Sequence, residues 1–418
     1  MQQNRLITLL NALSKKEIRE AGKFVRSPFH NSREDVIRLF DYLSECLFVL
    51  KLVPDKKQIF KRVYPGESYN DHRVRVIMSF LFQCLERFIL LQTFLADEVK
   101  VKLQLAEEYR TRQLPNHFQR TIKSLKKRQT ESPIRNADYY HDHVQVQLET
   151  YYFSSNNQRT GEYHLQEISD NIDLAFLTLK LKQTCFSIAH QNMFNKEYHF
   201  GLLSEMLQYI QQKQFLQIPA ISVYYHCYHA LTHPEEDQHY FQLKEALLKY
   251  AHHFPSTEIR DLFLLTINYC IRRMNAGIQR FEQEVLDWYQ IGLQEEHLMN
   301  NGHLSRFTYR NITTMGLIIQ DYQWVENFIH EYKDRLEKQY RESAYGFNLA
   351  RLAYAKKDYS TALQLLQQSA HKDLLLNLGA KTLALKIYYE LEEYNLLDSH
   401  LDAMTNFIRR KKIIGYHR

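Results

Sequence analysis

The sequence predicts an all-α protein, on the basis of its composition and of one repeated pattern. Its 418 residues include only 11 glycines and 8 prolines, and every proline lies at or before Pro255. Sheet proteins need many tight turns made with these residues, whereas long helices joined by short polar loops do not. A polar-polar-aromatic triplet also recurs between paired amphipathic segments. We therefore expect a helical N-terminal domain followed by a superhelix of α-α hairpins.

Composition also bounds the class of protein. The hydrophobic fraction of 44% and the charged fraction of 24% are ordinary for a soluble globular chain. The five cysteines are dispersed in apolar stretches, which favours reduced, buried thiols and a reducing compartment. The N-terminal apolar run is too short for a signal peptide, and no stretch approaches 18 uninterrupted apolar residues. A cytoplasmic protein that does not span a membrane is expected.

Charge is distributed unevenly along the chain. Residues 1–140 carry 26 Lys and Arg against 16 Asp and Glu, whereas the remainder carries 28 against 32. The net charge of +6 therefore belongs to the N-terminal third. Such an asymmetry is typical of a surface that meets an acidic partner, and it also occurs on ordinary solvated surfaces.

The N-terminal third contains several helix signals. A short apolar helix is expected over residues 6–13, and Ser14 with Glu17 fits a capping box that opens a helix to about residue 25. A turn at 27–32 separates it from a helix to about residue 50, and prolines at 54 and 65 bracket another short helix. The segment 76–95 is apolar around most of its circumference, which predicts the buried centre of this domain.

Two polar breaks suggest where the chain divides. One covers residues 130–136 and the other residues 154–161. We therefore expect a basic helical domain over residues 1–132, connecting helices over 133–177 and helical repeats over 178–418.

The recurring triplet defines the repeats. Its aromatic residue stands at intervals of 35 to 42 residues, and an apolar residue follows seven positions later in every instance but the first. Positions seven apart share one helical face, as the stacking of hairpins requires. The six aromatic residues are Tyr198, Tyr240, Phe281, Tyr322, Tyr359 and Tyr394.

The last units resemble tetratricopeptide repeats. The step Leu349-Ala350 is similar to the family's Leu-Gly pair, Asp358-Tyr359 to its turn between helices, and Ala362 to its small residue in the second helix. The next unit has Leu397 where that small residue belongs. The resemblance covers residues 340–405 and is weak over 180–340. It implies that the first helix of each hairpin lines a concave groove.

The sequence lacks the common enzymatic motifs. The sequence has no Gly-rich phosphate loop, no GxSxG elbow and no CxxC pair. His229 and His233 lie four residues apart on one helix face, but Ala230 stands where a zinc protease has its glutamate. Partly buried histidines between hairpins are the simpler interpretation, so we expect no catalytic residues, no metal and no cofactor.

Two surfaces are candidates for binding. In the groove, Arg351 and Lys386 occupy corresponding positions of the last two units, as do Tyr354 and Tyr389, and Arg310 extends the row. Cations beside aromatics at one-unit spacing suit an acidic or C-terminal peptide, although a solvated face with packed tyrosines would give the same pattern. We predict a non-enzymatic interaction scaffold that binds a segment of a protein partner.

The alternative is a nucleic-acid-binding or regulatory protein that acts through its basic N-terminal third. Cations that neutralise phosphates supply most of the affinity for nucleic acids. A basic tail begins at Arg409, and a basic helix is expected after Pro115. The cations of that helix are Arg120, Lys123, Lys126, Lys127 and Arg128.

Overall fold

Helices make up nearly all of the regular structure. The computed structural model describes residues 4–157, 163–194, 196–213, 215–368 and 374–411. Within these ranges it contains twenty α-helices and one two-stranded β-hairpin, so the predicted all-α class is confirmed. Most of the second polar break (158–161) and the end of the basic tail (412–418) lie outside the described residues.

The chain forms two compact units. The first contains residues 1–130 and 145–163, and the second contains residues 131–144 and 164–418. One long helix, Ala137–Asn157, contributes residues to both. The helices of the first unit are α1 (Arg5–Ala12), α2 (Lys15–Arg26), α3 (Glu34–Ser44, extended by a π-helical turn at Glu45–Val49), α4 (Lys56–Val63), α5 (Asp71–Ala96), α6 (Glu98–Thr111), α7 (Pro115–Glu131) and α8 (Ala137–Asn157).

The predicted capping box opens α2. The Ser14 hydroxyl accepts a bond from the Glu17 backbone N–H at 3.2 Å, and the Glu17 carboxylate accepts one from the Ser14 N–H at 2.7 Å. Two backbone donors that the helix leaves unpaired are thereby satisfied, which confirms this start.

The expectation that α5 is buried on all sides is wrong for part of its surface. Its Ile77, Leu81 and Leu85 are buried in the core that α5 shares with α1 to α4. Phe80 and Leu95, however, are 44% and 65% exposed. These helices cover one side of α5, and the Phe80 ring on the other side is covered by the guanidinium of Arg33, 4.3 Å from its centroid. The apolar residues around α5 therefore predicted more burial of this helix than the structure shows.

A smaller core joins α6, α7 and α8. Phe118, Ile122 and Leu125 of α7 are buried, as their spacing predicts. Phe118 stacks on Phe153 with ring centroids 4.1 Å apart. The cations of α7 therefore lie on its outer side.

The second unit consists mainly of helix pairs. Its elements are α9 (Leu165–Phe194), α10 (Leu203–Gln212), α11 (Pro219–Thr232), α12 (Asp237–Tyr250), α13 (Ser256–Asn275), α14 (Arg280–Gln294), β1 (Met299–Asn300), β2 (His303–Leu304), α15 (Arg306–Ile318), α16 (Tyr322–Glu331), α17 (Arg341–Ala355), α18 (Tyr359–Gln368), α19 (Leu374–Glu390) and α20 (Tyr394–Lys411). Five pairs contact each other as hairpins, from α11 with α12 to α19 with α20. Adjoining hairpins also contact, for example α16 with α17 and α17 with α19.

The last three hairpins turn in the same way. Gln320, Lys357 and Glu392 each have a left-handed backbone, with φ of 63°, 63° and 59°. In each turn, the N–H of the next residue donates to the carbonyl five positions earlier, as Asp358 does to Ala353 at 2.9 Å. This bond satisfies carbonyl groups at the end of the first helix and sets where the second helix begins.

The aromatic of the triplet begins or lies near the start of the second helix in five of the six instances. Tyr240 and Phe281 are fully buried there, and so are the residues seven positions after them, Leu247 and Trp288. The first instance differs, because Tyr198 lies in the loop before α10 and is 40% exposed. The triplet therefore marks a hairpin turn from α11 onward.

A β-hairpin interrupts the helices between α14 and α15. Met299 pairs with Leu304 and Asn300 with His303, in antiparallel register. Asn301 and Gly302 form the turn between the strands, with φ of 50° and 76°. Asn-Gly is the sequence that favours such a turn, because both residues adopt positive φ readily.

A buried carboxylate connects α8 to the hairpins within the second unit. Glu258, at the start of α13, is 5% exposed. It accepts hydrogen bonds from the Tyr224 hydroxyl at 2.6 Å and the Asn136 amide at 2.9 Å, and its carboxylate lies 3.0 Å from the Lys182 ammonium. These three donors compensate the desolvation of the charge.

Removal of this carboxylate should destabilise the second unit. We expect Glu258→Ala to lower the free energy of unfolding by about 3 kcal/mol, because the buried Tyr224 hydroxyl and Asn136 amide lose their acceptor and Lys182 its counterion. Urea unfolding followed by circular dichroism measures the change. Glu245→Ala, at an exposed position of α12, is the control and should stay within about 0.5 kcal/mol of the wild type. Equal losses in the two variants would contradict the assignment.

Candidate functional site

Three successive first helices, α15, α17 and α19, line an open cavity of about 360 Å³ together with Met404 of α20. Arg310, Arg351 and Lys386, which the sequence had singled out, all line it. We call it the cationic cavity. Its other lining residues are apolar apart from Thr382, and they are Phe347, Leu375, Leu378, Gly379, Thr382, Leu383 and Met404.

The common turn explains why these cations meet. Arg351 and Lys386 each lie six residues before the left-handed residue of their turn, at Lys357 and Glu392. Arg310 lies ten residues before Gln320, one helical turn further from its own hairpin turn. Equal register therefore brings Arg351 and Lys386 to one cavity, and Arg310 reaches the same cavity from one helical turn away.

Arg351 is the most enclosed of the three. Its guanidinium donates to the Arg310 carbonyl oxygen at 3.2 Å and to the Thr314 hydroxyl at 2.9 Å. Burial, reinforced by the nearby charge of Arg310, lowers the pKa of the Arg351 guanidinium to about 10. The side chain therefore remains charged at neutral pH, in surroundings that disfavour its charge.

Within the described ranges, none of these three cations has a carboxylate within 4 Å. Some partly buried cations of the same unit are paired, as Lys244 is with Glu284 at 2.6 Å. Arg272, by contrast, donates to the Leu231 carbonyl oxygen at 3.3 Å and belongs to no described ion pair.

Lys386 is exposed, whereas Arg351 is desolvated. A desolvated charge without a counterion is costly, and an anion beside Arg351 would reduce that cost. Carboxylate and phosphate are the groups that guanidinium recognises best.

The two predicted tyrosines do not line the cationic cavity. Tyr354 is partly buried beside Tyr359, with ring centroids 5.8 Å apart, and Tyr389 is 64% exposed. A residue three positions after a cation points about 60° away from it around the helix, toward the flank of the groove. Phe347, four positions before Arg351, is the aromatic that contacts the guanidinium, at 5.9 Å.

Two further cavities lie along the first helices. An apolar cavity of about 560 Å³ lies between α9, α11 and α13, and its residues include Phe186, Ala189, Met193, Leu264, Leu265 and Arg272. A polar cavity of about 490 Å³ lies between α13, the β-hairpin and α15, and its residues include Leu264, Asn300, Asn301, His303, Phe307 and Asn311. Sequence reasoning missed both, although Asn301-Gly302 is a recognisable signal for the hairpin that forms the second.

The basic helix α7 exposes its predicted cations. Arg120, Lys123, Lys126, Lys127 and Arg128 are all exposed, but Arg128 pairs with Glu98. Lys123 and Lys126 lie on the side opposite the buried Phe118, Ile122 and Leu125. The structure therefore leaves part of this set available to a phosphate backbone.

The histidines of α11 form a cluster of stacked rings with α12. His229 stacks on His239 with ring centroids 4.4 Å apart, and His226 Nδ1 lies 3.2 Å from His239 Nδ1. Burial lowers the pKa of both His226 and His229 to about 4, and the neighbouring His239 adds to both shifts. These rings are therefore neutral at pH 7.

No group of three or more His, Cys, Asp or Glu side chains in the described part of the chain is placed to hold a metal ion. All five cysteines are described, and they are buried free thiols. Burial raises the pKa of Cys185 and of Cys270, which disfavours the reactive thiolate. Among the described helices, none combines the length and apolar content needed to cross a bilayer.

Comparisons of the chain with protein-family models, with curated proteins and with solved structures give no match in any of the three. Function is therefore inferred from the geometry of the described residues.

The histidine cluster should make stability depend on pH. The imidazoles of His226 and His229 take up a proton near pH 6.5 in the unfolded chain and only near pH 4 in the folded chain. The free energy of unfolding therefore falls as the pH drops through this window. For His226, the loss between pH 7.5 and pH 5 is about 2 kcal/mol.

Urea unfolding at pH 7.5, 6 and 5 measures this dependence. His226→Gln should lose less stability on acidification than the wild type, whereas His252→Gln, at an exposed position, should behave as the wild type does. If His226→Gln and the wild type lose equal stability, the cluster is not the cause.

Proposed function

We propose that the chain is a non-enzymatic interaction scaffold that binds an acidic segment of a protein partner in the cationic cavity. In this proposal the second unit is a helical-repeat superhelix similar to tetratricopeptide repeats, and the cavity belongs to its groove. The single observation that carries the proposal is the convergence of Arg310, Arg351 and Lys386 without a described carboxylate partner.

The repeated turn and the contacts between adjoining hairpins support a superhelix. Hairpins that turn in one way and contact their sequence neighbours stack with a regular rotation, which creates an extended concave surface. The cations come from the first helices, and the family that residues 340–405 resemble lines its groove with those helices.

The chemistry of the cavity favours binding over catalysis. Arginine cannot serve as a general base because it stays protonated, and the other polar side chain besides Lys386 is the hydroxyl of Thr382. A catalytic site needs a nucleophile or a base within hydrogen-bonding reach of a reacting group. Fixed cations with apolar surroundings are suited instead to hold a carboxylate.

We also propose that the protein acts in the cytoplasm. Five buried free thiols suit a reducing compartment, where they are not driven to form disulfides.

Charge reversal in the cavity should remove acidic partners. Affinity purification with the wild type is compared with Arg310→Glu/Lys386→Glu, which turns two cations into anions and leaves the enclosed Arg351 in place. We expect the recovered amount of partners with acidic segments to fall by more than about tenfold, because two new anions face the acidic segment and such a juxtaposition of like charges costs roughly 2 kcal/mol or more.

The control is Lys213→Glu/Lys249→Glu, which makes the same charge change at two exposed positions outside the cavity, one directly after α10 and one in α12. Circular dichroism checks that both variants are folded. Identical partner lists for the wild type and the cavity variant would contradict the proposal.

The exposed cations of α7 support a second candidate function, the binding of nucleic acid by the first unit. Arg120, Lys123 and Lys126 have no described carboxylate within 4 Å. Neutralisation of about three phosphates predicts a loss of affinity of about 40-fold between 50 mM and 200 mM salt.

A gel-shift assay with duplex and single-stranded oligonucleotides at these two salt concentrations tests this second function. Arg120→Glu/Lys123→Glu should abolish the shift, whereas Lys57→Glu/Lys61→Glu, on the exposed side of α4, should retain it. No shift of any oligonucleotide at 50 mM salt would exclude this function.

A further inference from the structure

We propose that the groove binds an extended peptide with two recognition elements: an apolar side chain seated in the apolar cavity and, about six residues away, a carboxylate in the cationic cavity. This inference rests on the proposed function and specifies the ligand. Its basis is that the three cavities follow one another along the first helices and differ in chemistry.

The cavities adjoin through shared elements. Leu264 of α13 lines both the apolar and the polar cavity. On α15, Phe307 and Asn311 line the polar cavity, and Arg310 lines the cationic cavity. Arg310 lies three residues after Phe307 and one residue before Asn311, so the three positions lie on neighbouring parts of the helix surface. A chain lying over α13 and α15 therefore passes from one cavity to the next.

The apolar cavity is suited to one large side chain. Its volume of about 560 Å³ exceeds that of any single side chain, and its walls include Phe186, Leu231 and Leu265. Met193, on its rim, is 69% exposed and would be covered by an occupant. Desolvation of such a surface by a Phe or Leu side chain is the main source of affinity at peptide grooves.

The middle of the groove suits a peptide backbone. Asn300, Asn301 and Asn311 present side-chain amides, each of which can donate and accept hydrogen bonds. An extended backbone presents the same two kinds of group and no net charge. The polar cavity is lined by one cation, Arg260, and one carboxylate, Glu337, so its own charge is balanced.

The cations of the groove are concentrated at the end that α17 and α19 form, and this places the carboxylate of the ligand there. Arg310, Arg351 and Lys386 lie there without a described carboxylate partner. The apolar cavity, by contrast, is lined by one cation, Arg272, and one carboxylate, Asp261, so the charges of its lining residues cancel. A ligand with its acid at the cationic cavity and its apolar side chain at the other is therefore complementary along the whole groove.

Helix spacing sets the separation of the two elements. From α13 through α15 to α17 there are at least two steps of about 8–10 Å each, because the β-hairpin also lies between α13 and α15. An extended chain spans about 3.3–3.6 Å per residue, so about six residues bridge the two cavities. The carboxylate can belong to an Asp or Glu side chain or to the C-terminus of the ligand, and the two sources are separated below.

Fluorescence anisotropy with synthetic peptides tests the inference on the full-length chain. Each labelled peptide carries one Phe and three Asp residues, in either order, separated by a Gly-Ser spacer of two, six or twelve residues. Matched peptides replace Phe by Ser or all Asp residues by Asn. A further pair contains Phe and no Asp and ends in a free or an amidated C-terminus.

We expect the six-residue spacer to bind about tenfold or more tightly than the peptide that lacks Phe. Met193→Glu should abolish that gain and leave binding of the peptide without Phe unchanged. Leu248→Glu, at an exposed apolar position of α12 outside the cavities, should keep the gain. Tighter binding of the free C-terminus than of the amide would assign the carboxylate to the ligand's end.

The possible failures are distinguishable. If the peptide without Phe binds, depends on Lys386 and gains nothing from Phe at any spacing, the two-element ligand is overturned and the proposed function stands. If no Asp-containing or free-C-terminus peptide binds, or if binding survives Arg310→Glu/Lys386→Glu, both the ligand assignment and the proposed function are overturned.

Discussion

The register of the last three hairpins depends on one left-handed residue at each turn. In the last three hairpins that residue allows the following N–H to reach a carbonyl group five positions back, which ends the first helix and starts the second. Because the bond is the same each time, positions counted back from the turn face the same way on neighbouring helices. The convergence of Arg351 and Lys386 follows from this constraint.

Buried and partly buried charged groups in the second unit differ in their partners. Glu258 is surrounded by three donors, and Asp237 pairs with Arg273 and Arg280. Such compensated groups connect neighbouring helices. Arg351 is different, because its described partners are a carbonyl oxygen, a hydroxyl and an amide oxygen, all of them neutral. A desolvated cation without a counterion lowers the stability of the fold, and the binding of an anion would offset that cost.

The histidine cluster shows why spacing alone is a weak guide to chemistry. His229 and His233 have the separation of metal ligands, yet His229 stacks on His239 from the next helix. Burial lowers the pKa of the His229 imidazole to about 4, so that this ring is neutral at pH 7, and its stacking on His239 belongs to a packed interface between α11 and α12. The third participant came from another element, so the pattern within α11 did not reveal it.

The sequence alone determined the helical class, the capping box of α2 and the turns from α11 onward, because these depend on local interactions between residues close in the chain. It also identified three cations of the candidate site, since the equal spacing of Arg351 and Lys386 from equal turns is a local property and Arg310 lies one helical turn from that position. Tertiary structure decided which surfaces are covered. In the folded chain, Phe80 and Leu95 of α5 are exposed, and Tyr354 and Tyr389 lie outside the cationic cavity. The apolar and polar cavities are formed by residues far apart in the chain. Burial and enclosure depend on what packs against a helix, and one helix's own periodicity does not contain that information.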